Sequence, residues 1–197
     1  MQASVAGLAA VAVLGSCSRD STRSAPGATV PTTARPTTTT DPYAVPAVID
    51  VAYVNRVLGA LDAAVGDITR MVIAERDISP AVQKQLRALY VGEYFDLAVK
   101  SYRQDIDRNF PGALPSPGNQ VTAVSSLISA TSACIFIEAS RDFSGVSATP
   151  DTSLAKVWVA LKHSAPADSS LNKTGWVYAY DGFTQDRTQP RDPCADS

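Results

Sequence analysis

The chain has 197 residues and a net charge of −2, which allows one domain plus appendages and provides no excess of positive charge for holding nucleic acid. Charged residues make up 18% of the sequence and are mixed along it, so there is no basic stripe through which counterion release could act. The single histidine excludes a multi-histidine zinc or iron centre. H-E-x-x-H, G-x-S-x-G, P-loop and G-x-G-x-x-G patterns are all missing, so neither a metal nor a cofactor is expected.

Residues 5–14 form an apolar run of Val, Ala, Leu and one Gly. The run is too short to span a bilayer, which takes about 20 helical residues, but it has the length of a signal-peptide core. It ends in Leu14-Gly15-Ser16-Cys17, which resembles the bacterial lipobox. That resemblance implies removal of residues 1–16 as a signal peptide, diacylglycerol on the Cys17 thiol, and anchoring at the extracytoplasmic face of the cell membrane. Met1-Gln2-Ala3-Ser4 departs from the pattern because it lacks Lys and Arg; a start a few residues upstream would supply them. Plain secretion is the alternative.

Residues 17–46 are expected to form a disordered tether after the lipidated cysteine. Ser, Thr, Pro and Ala dominate there, and too little is apolar to offset the entropy of ordering. Fully stretched, such a segment reaches on the order of 90 Å. Residues 47–197 are then the folded domain.

Within the domain, Val51, Val54, Leu58, Leu61, Val65, Ile68 and Val72 recur three and four apart, predicting an amphipathic helix over 48–76 with Asp50 as its cap. Gly59 and Gly66 lie beside the stripe, where another element could approach closely. Ser79-Pro80 opens a second helix carrying Val82, Leu86, Leu89, Tyr90, Tyr94, Leu97 and Ile106, running to about Asn109. Pro and Gly at 111–118 end it. Residues 120–143 read as one long strand with a bend or bulge. Leu154 to His163 and Gly175 to Phe183 read as two more. The fold class is therefore α+β: two N-terminal helices packed on an antiparallel sheet of three or more strands. With Cys17 taken by lipid, Cys134 and Cys194 remain as a pair in an oxidising compartment. They are expected as a disulfide, against the alternative of two independent thiols.

Two helices followed by long strands, the last reading Gly175-Trp176-Val177-Tyr178-Ala179-Tyr180-Asp181, resemble the cone-shaped NTF2-like superfamily over roughly residues 48–184. Secreted and membrane-anchored members are common in actinobacteria, so the resemblance implies an actinobacterial lipoprotein with a cone-shaped domain. In NTF2-like enzymes a His or Asp inside the cone acts as general base, which makes His163 the candidate; its alternation matches Val157, Val159 and Leu161. Tyr90, Tyr94 and Trp176 join it as candidate pocket residues. Asp105 with Asp107, and Glu93 with Asp96, read as solvated helix charges. The expected role is a non-catalytic envelope lipoprotein that binds a protein partner or serves as an accessory module. The alternative is a carrier or sensor that holds an apolar small molecule in the cone.

Overall fold

Asp50 opens the first helix as predicted, its carboxylate accepting from the Tyr53 backbone N–H at 2.7 Å. The computed structural model describes residues 41–148, 154–164, 169–183 and 189–195, all within the unit Thr39–Ser197. The signal segment, Cys17 and the tether as far as residue 40 lie outside the described residues. Helix α1 spans Val51–Glu75 and closes at Arg76, whose left-handed backbone returns its N–H to the Val72 carbonyl. Its stripe is buried from Val54 to Val72, with Tyr53 and Val57 added, while Val51 at the first turn stays exposed.

Residues 41–46, which the composition assigns to the tether, pack on this helix. Tyr43 and Val45 lie against the core. The Tyr53 hydroxyl donates to the Tyr43 carbonyl at 3.0 Å, and Arg56 Nε donates to the Pro42 carbonyl at 2.9 Å.

The expected second helix is two helices, α2 over Pro80–Leu89 and α3 over Glu93–Asp107, making three before the sheet. Ser79 caps α2 with Pro80 in its first turn, as the sequence indicates. The break falls at Tyr90–Gly92. Tyr90 turns extended and bridges Tyr178, the Val91 N–H donates to the Tyr178 carbonyl, and Gly92 takes φ 57°, ψ −137°. That last conformation is essentially closed to residues with a Cβ. The apolar repeat continues across the break, which hides it from periodicity.

The strands are β1 (Val121–Ala130), β2 (Cys134–Asp142), β3 (Leu154–His163) and β4 (Trp176–Phe183), paired antiparallel in the order β1-β2-β3-β4. The segment read as one long strand is therefore a hairpin. Its turn carries no glycine or proline; the Thr131 hydroxyl accepts from the Ala133 and Cys134 N–H groups instead. Register shifts between Val124 and Ser126, between Leu127 and Ser129, and opposite Ala160/Leu161 bend the sheet. The main core lies between the helices and one sheet face, with Ile135, Ile137, Val159, Leu161, Trp176 and Tyr178 fully enclosed. Phe136, Trp158 and Ala160 form a smaller cluster with Cys134 and Cys194. The expected disulfide joins those two cysteines, with Cα atoms 5.5 Å apart across 60 residues of sequence.

Candidate functional site

Two of the four candidate pocket residues, Tyr90 and Tyr94, line a cavity of about 430 Å³ between α1, α3 and the ends of β2 and β4. Val65, Thr69, Leu97, Ala98, Tyr102 and Phe110 supply most of the remaining apolar wall, and Arg141, Asp181 and Asp105 supply the charge. The volume lies in the range that holds a drug-sized molecule. Gly66 lies on this wall, and the Asn119 side-chain amide occupies the place that a Cβ there would take. Gly59 meets nothing. Of the two helix glycines, only Gly66 permits a close approach.

The charged residues form a chain across the sheet. Asp62, on the buried side of α1, accepts from Gln120 Nε2 at 2.9 Å, Thr122 N at 2.6 Å and Thr122 Oγ1 at 3.0 Å. Arg141 Nε donates to the same Thr122 hydroxyl at 3.0 Å. Arg141 Nη1 donates to both Asp181 oxygens at 2.9 Å. Arg141 is only 5% exposed, so this ion pair is far less screened than a surface one. Two polar atoms in the same cluster stay unmet: Arg141 Nη2 and the Tyr178 hydroxyl are buried with no hydrogen-bond partner. Tyr178 stacks on Tyr90, with ring centroids 5.2 Å apart.

Burial dominates the titration of these groups. It raises the Asp62 carboxyl above the usual range, against the opposing pull of its donors and Arg141. It also raises Asp105, opposed by Arg108. Burial alone would lower Arg141, but the Asp181 carboxylate outweighs it and holds the guanidinium charged. The Tyr178 phenol is pushed up by burial and by the Asp62 charge, and Tyr102 reaches about 12 through burial despite its hydrogen bond to Thr69.

His163 and Trp176 do not join the cavity. His163 is exposed at the end of β3, its ring edge-on to Trp176 with centroids 5.0 Å apart. Trp176 is fully buried in the core and donates Nε1–H to the Tyr53 hydroxyl at 2.8 Å. His163 keeps the alternation of Val157, Val159 and Leu161, but it stands at the last pair of the β3–β4 ladder, where its ring packs on Trp176 and beside Gly175 rather than reaching the cavity. Sequence reasoning placed Asp105 among solvated charges and passed over Asp62, Arg141 and Asp181. Two of these left a trace. Asp62 lies between Leu58 and Val65 within the apolar stripe, and Arg141 keeps step with Ile135, Ile137 and Ala139. Asp181 left none, because the register shift opposite Ala160/Leu161 moves it onto the face that strict alternation gives to Tyr180.

Among the described residues no group of three His, Cys, Asp or Glu is placed to hold a metal. No helix there is long and apolar enough to cross a membrane. No protein-family model, curated protein or solved structure matches this chain, so the cavity is read from its own geometry.

Proposed function

We propose that the domain is a non-catalytic binding module for a small, largely apolar molecule, held outside the cell membrane by a lipidated Cys17 and a Thr/Pro tether. The observation that carries the binding reading is the aromatic-lined cavity of about 430 Å³ with Arg141, Asp181 and Asp105 on its wall. Support for the location comes from Leu14-Gly15-Ser16-Cys17 and from the Cys134–Cys194 bond, since disulfides persist in oxidising compartments. Three helices on one face of a sheet bent at its register shifts support an NTF2-like, cone-shaped arrangement around the cavity.

The non-catalytic reading rests on His163 standing outside the cavity and on two of its lining hydroxyls, those of Thr69 and Ser147, being engaged within the fold. Thr69 pairs with Tyr102, and Ser147 donates to the Gly112 carbonyl. Binding of a protein partner ranks second. The large apolar side chains left exposed among the described residues are Val48, Val51, Leu97, Val121 and Leu154, spread over several elements rather than gathered in one patch. Of these only Leu97 borders the cavity.

The test is a native mass spectrum of the protein purified from an exporting host, paired with titration of the neutral dye Nile red. A co-travelling small-molecule mass, or saturable dye binding at one site, is the expected result. A bare mass with no dye binding would overturn the reading. For the anchor, Cys17→Ala is expected to release the protein from the membrane fraction; unchanged retention would refute lipidation.

A further inference from the structure

We infer that the cavity takes an organic cation, an ammonium group on an apolar body, and that Asp105 is the carboxylate that meets the ammonium. This deepens the small-molecule reading above and rests on it.

The first support is the place of Asp105 on its helix. The α3 residues on the cavity wall are Tyr94, Leu97, Ala98, Ser101, Tyr102 and Asp105. They recur three and four apart, which puts them on one stripe of the helix. Asp105 ends that stripe half-buried, whereas Asp107 is exposed and does not border the cavity. Among the described residues no hydrogen bond or ion pair holds the Asp105 carboxylate. Burial raises its carboxyl, and the Arg108 charge offsets only part of that. A cation arriving from the cavity side would supply the missing partner.

Charge balance is the second support, and it separates a cation from an anion. The wall carries Arg141, Asp181 and Asp105. Arg141 is already matched by Asp181, both of whose oxygens accept from Nη1 at 2.9 Å. Asp62 adds a further negative charge behind the pair, joined to Arg141 through the Thr122 hydroxyl. What remains on the wall is one unmatched negative charge at Asp105, which attracts a cation and repels an anion. The third support is the aromatic lining of Tyr90, Tyr94, Tyr102 and Phe110. Such rings hold an apolar body, and their π faces favour a cation over an anion.

Three probes that share one ring system decide the matter by equilibrium dialysis against the exported, disulfide-intact protein. They are 2-naphthylmethylammonium, the neutral 2-naphthylmethanol and the anionic 2-naphthoate. The ammonium is expected to bind about tenfold more tightly than the alcohol, the scale of one partly desolvated ion pair, with the naphthoate weakest. Asp105→Asn is expected to erase most of that lead. Asp107→Asn removes the same charge away from the cavity and is expected to leave the lead in place. Asp105→Ala serves if Asp105→Asn does not fold. Equal binding of ammonium and alcohol, tightest binding of the naphthoate, or a lead that survives loss of the Asp105 carboxylate overturns this inference and leaves the small-molecule reading standing. So does Nile red binding with no binding of the ammonium. Binding of none of the three, together with no Nile red binding, overturns both.

Discussion

Replacing Cys134 and Cys194 together by alanine removes the covalent tie between β2 and the C-terminal segment, and its cost can be worked from the loop it closes. The bond spans 60 residues. In the chain-entropy treatment, a loop of that length is worth about 4 kcal/mol at 25 °C, before any change in native packing. Packing adds to this, because Cys194 is nearly buried and covers Phe136 and Trp158 in the smaller cluster. For a domain of this size each kcal/mol moves the midpoint by about 2–4 °C, so a loss of about 8–16 °C is expected. Differential scanning calorimetry of the double variant against the oxidised wild type measures it, with urea unfolding as a check on two-state behaviour. Reduced wild type should fall to nearly the same midpoint. A loss below about 2 °C would refute the reasoning, since it would mean that the unfolded chain is hardly less constrained without the bond.

Tyr178→Phe deletes a buried hydroxyl that has no partner, so it is expected to stabilise the ligand-free protein by about 1 kcal/mol in urea unfolding; a clear loss would mean the hydroxyl is satisfied after all. Asp62→Asn turns an acceptor of three hydrogen bonds into a group that presents donors to donors, and a cost of about 2–4 kcal/mol is expected by the same assay. Gly92→Ala meets no neighbouring atom but must hold φ near 57°, so a loss of about 1–2 kcal/mol from backbone strain alone is expected. Gly59→Ala, in the open interior of α1, should gain about 0.5–1 kcal/mol. Burial raises the Asp105 carboxyl, so the folded protein holds that proton to higher pH than the unfolded chain does. The resulting stability is complete below the ordinary carboxyl pKa, near 4, and is lost as pH rises through the raised folded value. The stability of wild type minus that of Asp105→Asn should therefore be larger at pH 5 than at pH 7, and the opposite trend would refute the assignment.

The parts of the architecture legible in the sequence are those governed by local chemistry. Asp50 and Ser79-Pro80 mark helix starts through their own side chains, and the α1 stripe reads directly as a buried face. The split between α2 and α3 was hidden because it depends on a tertiary event, the addition of Tyr90 and Val91 to the β4 edge, with Gly92 making the turn possible. The β1–β2 turn was hidden because a threonine hydroxyl does there what glycine usually does. Half of the candidate pocket followed from the aromatic residues: Tyr94 is carried to the cavity by α3, whereas Tyr90 reaches it from the extended break that bridges β4. His163 and Trp176 were misplaced because strand alternation gives a direction but not what lies in that direction. The charged floor is long-range by nature: Asp62, Thr122, Arg141 and Asp181 come from α1, β1, β2 and β4, and only the fold brings them together.

The packing of residues 41–46 on α1 has a mechanical consequence. Whatever holds the chain before residue 41, tension on it enters the domain through Pro42 and Tyr43, which are tied down by single hydrogen bonds from Arg56 and Tyr53. Loaded one after another, such bonds yield in sequence, and the leading segment frays before the body strains. The next link, Tyr53 to Trp176, passes the remaining load to the start of β4. The cavity wall on α1 begins at Val65, about 18 Å further along the helix at 1.5 Å per residue. A pull from the N-terminal side is thus expected to fray residues 41–46 first, and to reach the cavity only afterwards, by way of Trp176 and the Asp181 further along β4.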